Sequence, residues 1–265
     1  MQTTFYKCNG NKNTFIIIPY NNALIDRIKS INPARICKNI ESQSGKDIDG
    51  LITANIENNN VIMDYYNNDG TWETFCLNGM RCLSLILHQE INKTNFNIIC
   101  NSVAYSIVVL NNNTVEVKLY EPNYRMRNVK INHFIGNYIF SGAKHFVIDL
   151  EDNNWQNLGD LEKISKEIRY NDVLFPEGIN VNFYKIIDVN YIEVKTYEKG
   201  IEKMMPSCAS GSFACAYDYS KKNNIFNEIN IINDGGKHQV IFSENYKNIV
   251  HKGNAEIEYK KGIEI

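Results

Sequence analysis

Two of the seven cysteines share a local sequence suited to acid/base chemistry. Cys76 is followed by Leu77-Asn78-Gly79 and Cys208 by Ala209-Ser210-Gly211, and each segment then runs into an apolar helical pattern. This places each sulfur at a helix start, where unpaired backbone N–H groups and the helix dipole favour an anion and lower a thiol's pKa. The same N–H groups, at positions such as Asn78 and Ser210, form a cradle for a substrate carboxylate. Two such thiols looking into one cleft from opposite sides would suit stereoinversion. A thiolate removes the α-proton from one face of an amino acid, and the opposing thiol returns a proton to the other. Repulsion between two thiolates requires the working pair to carry one proton. The helix starts would hold the charge that develops on the carbanion's carboxylate.

An internal repeat relates the two cysteines. Residues 10–16 superimpose on 142–148, Cys76-Leu77-Asn78-Gly79 on Cys208-Ala209-Ser210-Gly211, and Tyr65 on Tyr197, all at an offset of 132. One shift kept over more than 60 residues marks two copies of a unit: a glycine turn, strands, then a cysteine at a helix start. Strand patterns occupy 15–18, 61–63, 97–99, 106–110, 115–119, 146–150 and 191–194, and helical periodicity runs through 23–31, 80–87 and 158–168. Strands in runs rather than in alternation with helices give an α+β class. The boundary is expected at Glu121-Pro122-Asn123, where proline interrupts the pattern. That divides the chain into 1–121 and 122–254, with 255–265 returning to complete the first half.

Composition narrows the partner class. A net charge of -2 from 28 basic and 30 acidic residues gives no electrostatic footprint for nucleic acid or an anionic membrane. No apolar run approaches the roughly 20 residues of a membrane helix, and Met1-Gln2-Thr3-Thr4 opens no signal-peptide pattern. A cytoplasmic protein with a small-molecule substrate is expected. An odd number of cysteines in a reducing compartment argues against a disulfide framework. Cys8, Cys37 and Cys100 read as small buried hydrophobes, and Cys82 and Cys215 as packing residues a turn or two into their helices. Without a Cys-x-x-Cys, and without ligand spacing among the five histidines, no metal site is expected. Polar tracts such as Asn58-Asn59-Asn60 and Asn111-Asn112-Asn113 read as loops.

The segment Asn67-Asn68-Asp69-Gly70-Thr71-Trp72-Glu73-Thr74-Phe75-Cys76-Leu77-Asn78-Gly79-Met80-Arg81 resembles, with two substitutions, the signature of the diaminopimelate epimerase family. Further blocks are similar at residues 10–15, Asp49-Gly50-Leu51, 142–145, Phe175-Pro176-Glu177-Gly178-Ile179-Asn180, Tyr197-Glu198-Lys199-Gly200 and 208–211, so the resemblance spans nearly the whole chain. It implies two pseudo-symmetric barrel-like α/β domains with the active site in the cleft between them, a homodimer, and chemistry without metal or pyridoxal phosphate. It implies Cys76 and Cys208 as the acid/base pair, with His145 and Glu198 activating or positioning the thiols. Asn13, Asn67 and Asn180 would contact the distal end of an amino-acid substrate, L,L- or meso-diaminopimelate.

The departures from the family pattern bear on the substrate more than on the chemistry. Leu77 and Ala209 stand for glycines where backbone approaches the α-carboxylate. Ala143 replaces a substrate-binding Asn and Lys144 a Pro. Lys199 exchanges the family's bidentate guanidinium for a point charge, and Glu198 lies one residue further from Cys208 than is usual. These changes keep open a racemase of glutamate, lysine or histidine, a relaxed-specificity epimerase, and a non-catalytic amino-acid-binding paralogue. Phenazine-type isomerases lack the facing cysteine pair, a cysteine hydrolase needs only one nucleophile, and proline-racemase-like enzymes match the signature around Cys76 less well.

Overall fold

The computed structural model describes residues 2–19, 32–45, 47–150 and 159–264. The expected helical pattern at 23–31 and the start of that at 158–168 lie outside the described residues. The chain divides into two compact units, Met1–Leu119 with Lys252–Ile265, and Tyr120–His251. The class is α+β, with strands in the majority.

The first unit contains β1 (Gln2–Gly10), β2 (Asn13–Pro19), α1 (Pro33–Ser44), β3 (Gly50–Glu57), β4 (Asn60–Asn67), β5 (Trp72–Glu73), α2 (Leu77–Ile91), β6 (Asn95–Cys100), β7 (Val103–Val109) and β8 (Thr114–Leu119). The second contains β9 (Asn123–Ile131), β10 (Phe134–Phe140), β11 (Lys144–Asp149), α3 (Leu161–Arg169), β12 (Asn180–Asp188), β13 (Tyr191–Glu198), β14 (Lys203–Met205), α4 (Ala209–Asn223), β15 (Asn227–Asn233) and β16 (Gly236–Phe242). Strand β17 (Ile249–Asn254) runs across the division, and β18 (Glu256–Glu264) belongs to the first unit.

The pairing is the same in both units. In the first, β18, β1 and β2 are antiparallel neighbours, β2 and β3 are parallel, β3 and β4 antiparallel, β4 and β6 parallel, and β6 to β8 antiparallel. In the second, β9, β10 and β11 are antiparallel neighbours, β11 and β12 parallel, β12 and β13 antiparallel, β13 and β15 parallel, and β15 and β16 antiparallel. A parallel pair needs a crossover of a dozen or more residues, usually helical, and each of the four described helices supplies one. Helices α2 and α4 therefore follow from the β4/β6 and β13/β15 parallel pairings, and each begins directly after one of the two cysteines.

Helix α2 is buried without interruption from Leu77 to Leu87 and α4 from Ala209 to Ser220. Burial on every side marks helices enclosed by strands rather than laid on a surface. Both end on an asparagine in the left-handed region, Asn92 at φ 51° and Asn224 at φ 53°, a conformation asparagine adopts more readily than most residues. The other two helices cover sheet faces. Ile36, Cys37 and Ile40 of α1 pack with Phe5, Ile16, Ile18 and Leu51, so Cys37 is a core side chain as expected. Ile168 of α3 packs among Phe134, Phe146, Phe175 and Phe183. No described helix is long and apolar enough to cross a membrane.

Candidate active site

Cys76 is the N-cap of α2, in extended backbone at φ -138° and ψ 101°, and its Sγ accepts the Gly79 N–H at 3.4 Å. A Cβ at position 79 would lie 2.3 Å from Ile52 and 3.3 Å from that sulfur, so glycine is what lets the first turn close over the thiol. Leu77 and Asn78 are buried behind it. The Asn78 amide donates to Asn13 Oδ1 at 3.2 Å and accepts from Arg81 Nη2 at 2.7 Å. Asn13 in turn donates to Asp49 Oδ2 at 2.9 Å, and Arg81 donates to Asn11 Oδ1 at 2.9 Å and to the Asn254 carbonyl at 3.2 Å. Burial pulls the Arg81 pKa down to about 10, against the attraction of the Cys82 and Cys76 thiols, so the guanidinium remains charged at neutral pH. Asn67, at the end of β4, accepts from Tyr65 Oη at 2.8 Å and donates to Glu73 at 3.5 Å.

Cys208 is the N-cap of α4 with matching backbone, φ -123° and ψ 104°. The expectation that a helix start lowers the thiol pKa does not hold here. Burial, and next the Glu198 carboxylate beside it, push the Cys208 thiol well above its ordinary value, with the Ser210 hydroxyl acting in the opposite sense. Complete desolvation of a sulfur anion outweighs a terminal dipole. Ser210 Oγ lies 3.5 Å from Cys208 Sγ and 3.1 Å from His145 Nε2, and its backbone carbonyl accepts Ser141 Oγ at 2.9 Å. Ala209 is the first residue of the helix and is buried.

The repeat extends to these side-chain contacts. Asn13 and His145 occupy equivalent positions at the offset of 132, as do Asn78 and Ser210. In each unit the side chain at the start of a strand bonds to the second residue of the cysteine helix. His145, Glu198, Ala209 and Ser210 thus come together around Cys208, and Asn13, Leu77 and Asn78 behind Cys76. Asn180 and Lys199 are joined to each other by the Lys199 N–H to Asn180 Oδ1 bond at 2.8 Å, and Asn180 Nδ2 donates to the Lys144 carbonyl at 3.1 Å. The amides of Asn13, Asn67 and Asn180 are therefore all engaged with protein groups.

Sequence reasoning assigned no role to Asn182, which donates to His145 Nδ1 at 3.1 Å. It lies two residues beyond Asn180 on β12, and period-two alternation puts both on one sheet face; that was the available signal. Among the described residues no group of three or more His, Cys, Asp or Glu side chains could hold a metal ion.

Full burial lowers the His145 pKa to about 3 from 6.5, so the ring is neutral throughout the physiological range. An unfolded chain protonates this ring below about pH 6.5, whereas the folded chain resists protonation down to about pH 3. Between those values the unfolded state binds the extra proton, and stability falls as pH is lowered, by about 1.4 kcal/mol per pH unit. Replacing His145 by Gln is expected to flatten the pH dependence of unfolding free energy between about pH 6 and pH 4 by about that slope. Urea titrations at stepped pH check this; equal slopes in both proteins would mean the ring charges freely in the folded state.

No protein-family model matches the chain. The diaminopimelate epimerase of Flavobacterium psychrophilum is 32% identical to it over an alignment of 270 positions that covers 97% of this chain and 99% of that one. Among solved structures, a hydroxyproline epimerase from Agrobacterium vitis with bound trans-4-OH-L-proline superimposes with a TM-score of 0.71 at 9% identity, covering 99% of this chain and 91% of that one. A PhzF-family phenazine biosynthesis protein from Enterococcus faecalis gives a TM-score of 0.71 at 10% identity over the whole of both chains. These likenesses show the fold, that of the class of proteins built from two barrel-like domains. Within that class, the extent of the sequence match decides the membership: the chain belongs to the diaminopimelate epimerase family, and it is an epimerase.

Proposed function

We propose that the protein interconverts L,L- and meso-diaminopimelate in the cytoplasm, in the supply of lysine and peptidoglycan precursors, with Cys76 and Cys208 as the two acid/base groups. The observation that carries this reading is the pair of N-cap cysteines at equivalent positions of the repeat, each with its own polar support. Burial and Glu198 keep the proton on Cys208 at neutral pH, so in this direction Cys208 serves as the acid and a Cys76 thiolate as the base. That thiolate takes the α-proton from one face, and the Cys208 S–H delivers its proton to the other. The resulting Cys208 thiolate accepts the Ser210 hydroxyl, and the reverse reaction exchanges the two roles. Backbone N–H groups in the first turns of α2 and α4 hold the α-carboxylate as its charge grows. Lys199 meets the distal carboxylate as a point charge.

A second reading is supported by the internal engagement of Asn13, Asn67 and Asn180 and by Ala143: a racemase acting on a simpler amino acid such as glutamate, lysine or histidine. Incubation in heavy water with each candidate separates the two. Deuterium entering Cα of L,L-diaminopimelate much faster than of the other three is the expected result. Preferential exchange into one of the others would select the second reading. No exchange into any of them would leave only an amino-acid-binding paralogue.

A further inference from the structure

The hydrogen bonds around Cys208 form a chain whose direction can be fixed from its far end. Asn182, fully buried on β12, has its Nδ2 3.3 Å from the Phe146 carbonyl and 3.3 Å from the Asn180 carbonyl. Backbone carbonyls only accept, so the nitrogen of this amide must face them and its oxygen must face the other way. The oxygen accepts Thr196 Oγ1 at 2.9 Å, in agreement with that orientation.

The same Nδ2 lies 3.1 Å from His145 Nδ1. A donor there requires Nδ1 to be the accepting nitrogen, and the neutral ring then carries its hydrogen on Nε2. Nε2–H points at Ser210 Oγ, 3.1 Å away. With that oxygen accepting from the ring, the hydroxyl hydrogen is left for Cys208 Sγ at 3.5 Å. The opposite tautomer would reverse the chain. Ser210 would donate to Nε2 and present a lone pair to the sulfur, favouring the thiol over the thiolate.

We propose that Asn182 is a positioning residue for the reaction: by fixing the His145 tautomer it aims the Ser210 hydroxyl at Cys208 as a donor to the thiolate that forms when this cysteine gives up its proton. No proton travels along the chain; its members only set which way each hydrogen points. The close packing at this point leaves little alternative geometry, since a Cβ at Gly211 would lie 2.1 Å from Asn182 Oδ1 and 3.2 Å from His145 Nδ1. The inference rests on the reading that Cys208 exchanges a proton with substrate.

The test is nitrogen NMR of protein carrying ¹⁵N-labelled histidine, with the His145 ring signals assigned by their loss in His145→Gln. The folded protein without substrate should show a protonated Nε2 and a bare Nδ1. In Asn182→Asp, where a carboxylate can only accept, the hydrogen should move to Nδ1. The kcat for deuterium exchange into L,L-diaminopimelate should then fall about 10- to 100-fold, the weight of a hydrogen bond to a charged group, with KM changed by less than about 2-fold, as for an interaction made only in the transition state. A wild-type ring protonated on Nδ1 overturns the proposal, and this measurement stands even if the Asp variant does not fold. An inverted tautomer with wild-type kcat overturns it as well. Exchange surviving Cys208→Ala would sink the catalytic reading beneath it, an outcome distinguishable because the tautomer is read without turnover.

Discussion

Alanine at either Cys76 or Cys208 is expected to lower epimerisation of L,L-diaminopimelate by about 10²- to 10⁴-fold, the usual share of a positioned acid or base in a rate. On the proposed mechanism each thiol has a distinct task, so neither replaces the other. Cys208 is buried and holds its proton against solvent, and Cys76 is partly exposed, with its sulfur accepting the Gly79 N–H. Because inversion requires both, the double variant should be little slower than either single one, since groups acting as a unit are not additive. The readout is deuterium at Cα together with the optical rotation of the product. The two-thiol mechanism fails if either single variant retains more than about a tenth of wild-type turnover. The same pair predicts an order of reaction with iodoacetamide, since the thiolate is the nucleophile. Limited reagent at neutral pH should mark Cys76 before Cys208, as read by peptide mass spectrometry.

Asp218→Ala should cost about 3–5 kcal/mol of folding stability, the range for removing one partner of a buried charged network. Asp218 lies on α4 with no exposure, and its carboxylate accepts from Tyr124 Oη at 2.9 Å, Asn137 Nδ2 at 2.8 Å and Tyr184 Oη at 3.0 Å. Lys222, one turn on, lies 3.0 Å away but is partly exposed, so water weakens its contribution. The estimate therefore rests on the buried donors. Tyr184 is fully buried and Asn137 nearly so, and losing the carboxylate removes a shared acceptor from both. Against a total stability of about 5–15 kcal/mol for a domain, the variant approaches the unfolding threshold. Urea unfolding followed by circular dichroism measures the difference; a change under about 1 kcal/mol would mean the network contributes far less than its burial indicates.

The repeat, the strands and the two cysteine helices were legible because each is written in local periodicity or in a long motif. Helix α1 was not. It begins at Asn32 and Pro33, where the asparagine side chain accepts the Ala34 N–H, yet the polar residues of Pro33–Ser44 carry no long apolar period, and the segment received no assignment. The polar supports of the site were legible only as residue types. Asn182 meets His145 across 37 positions of chain, and Arg81 meets the Asn254 carbonyl across 173; alternation with Asn180 gives the sheet face of Asn182, but partners at such separations are set by strand pairing. The direction of the Cys208 shift was hidden for the same reason. A helix start is visible in sequence, but the burial that overrides it belongs to the packed unit.

The order of strands along the chain has a consequence for synthesis. Strand β9 is made immediately before β10, the strand it borders, whereas β18, which borders β1 in the same way, is made after every other described strand. As the chain emerges from the ribosome, the second unit has its bordering strand in place from its start. The first unit, although translated earlier, keeps one side of β1 unpaired until residues 256–264 arrive. An unpaired strand side is a template for wrong partners, and here it stays open for the time needed to translate the whole of the second unit. Translation rate and chaperone cover during that interval therefore bear on the half of the molecule that carries Cys76.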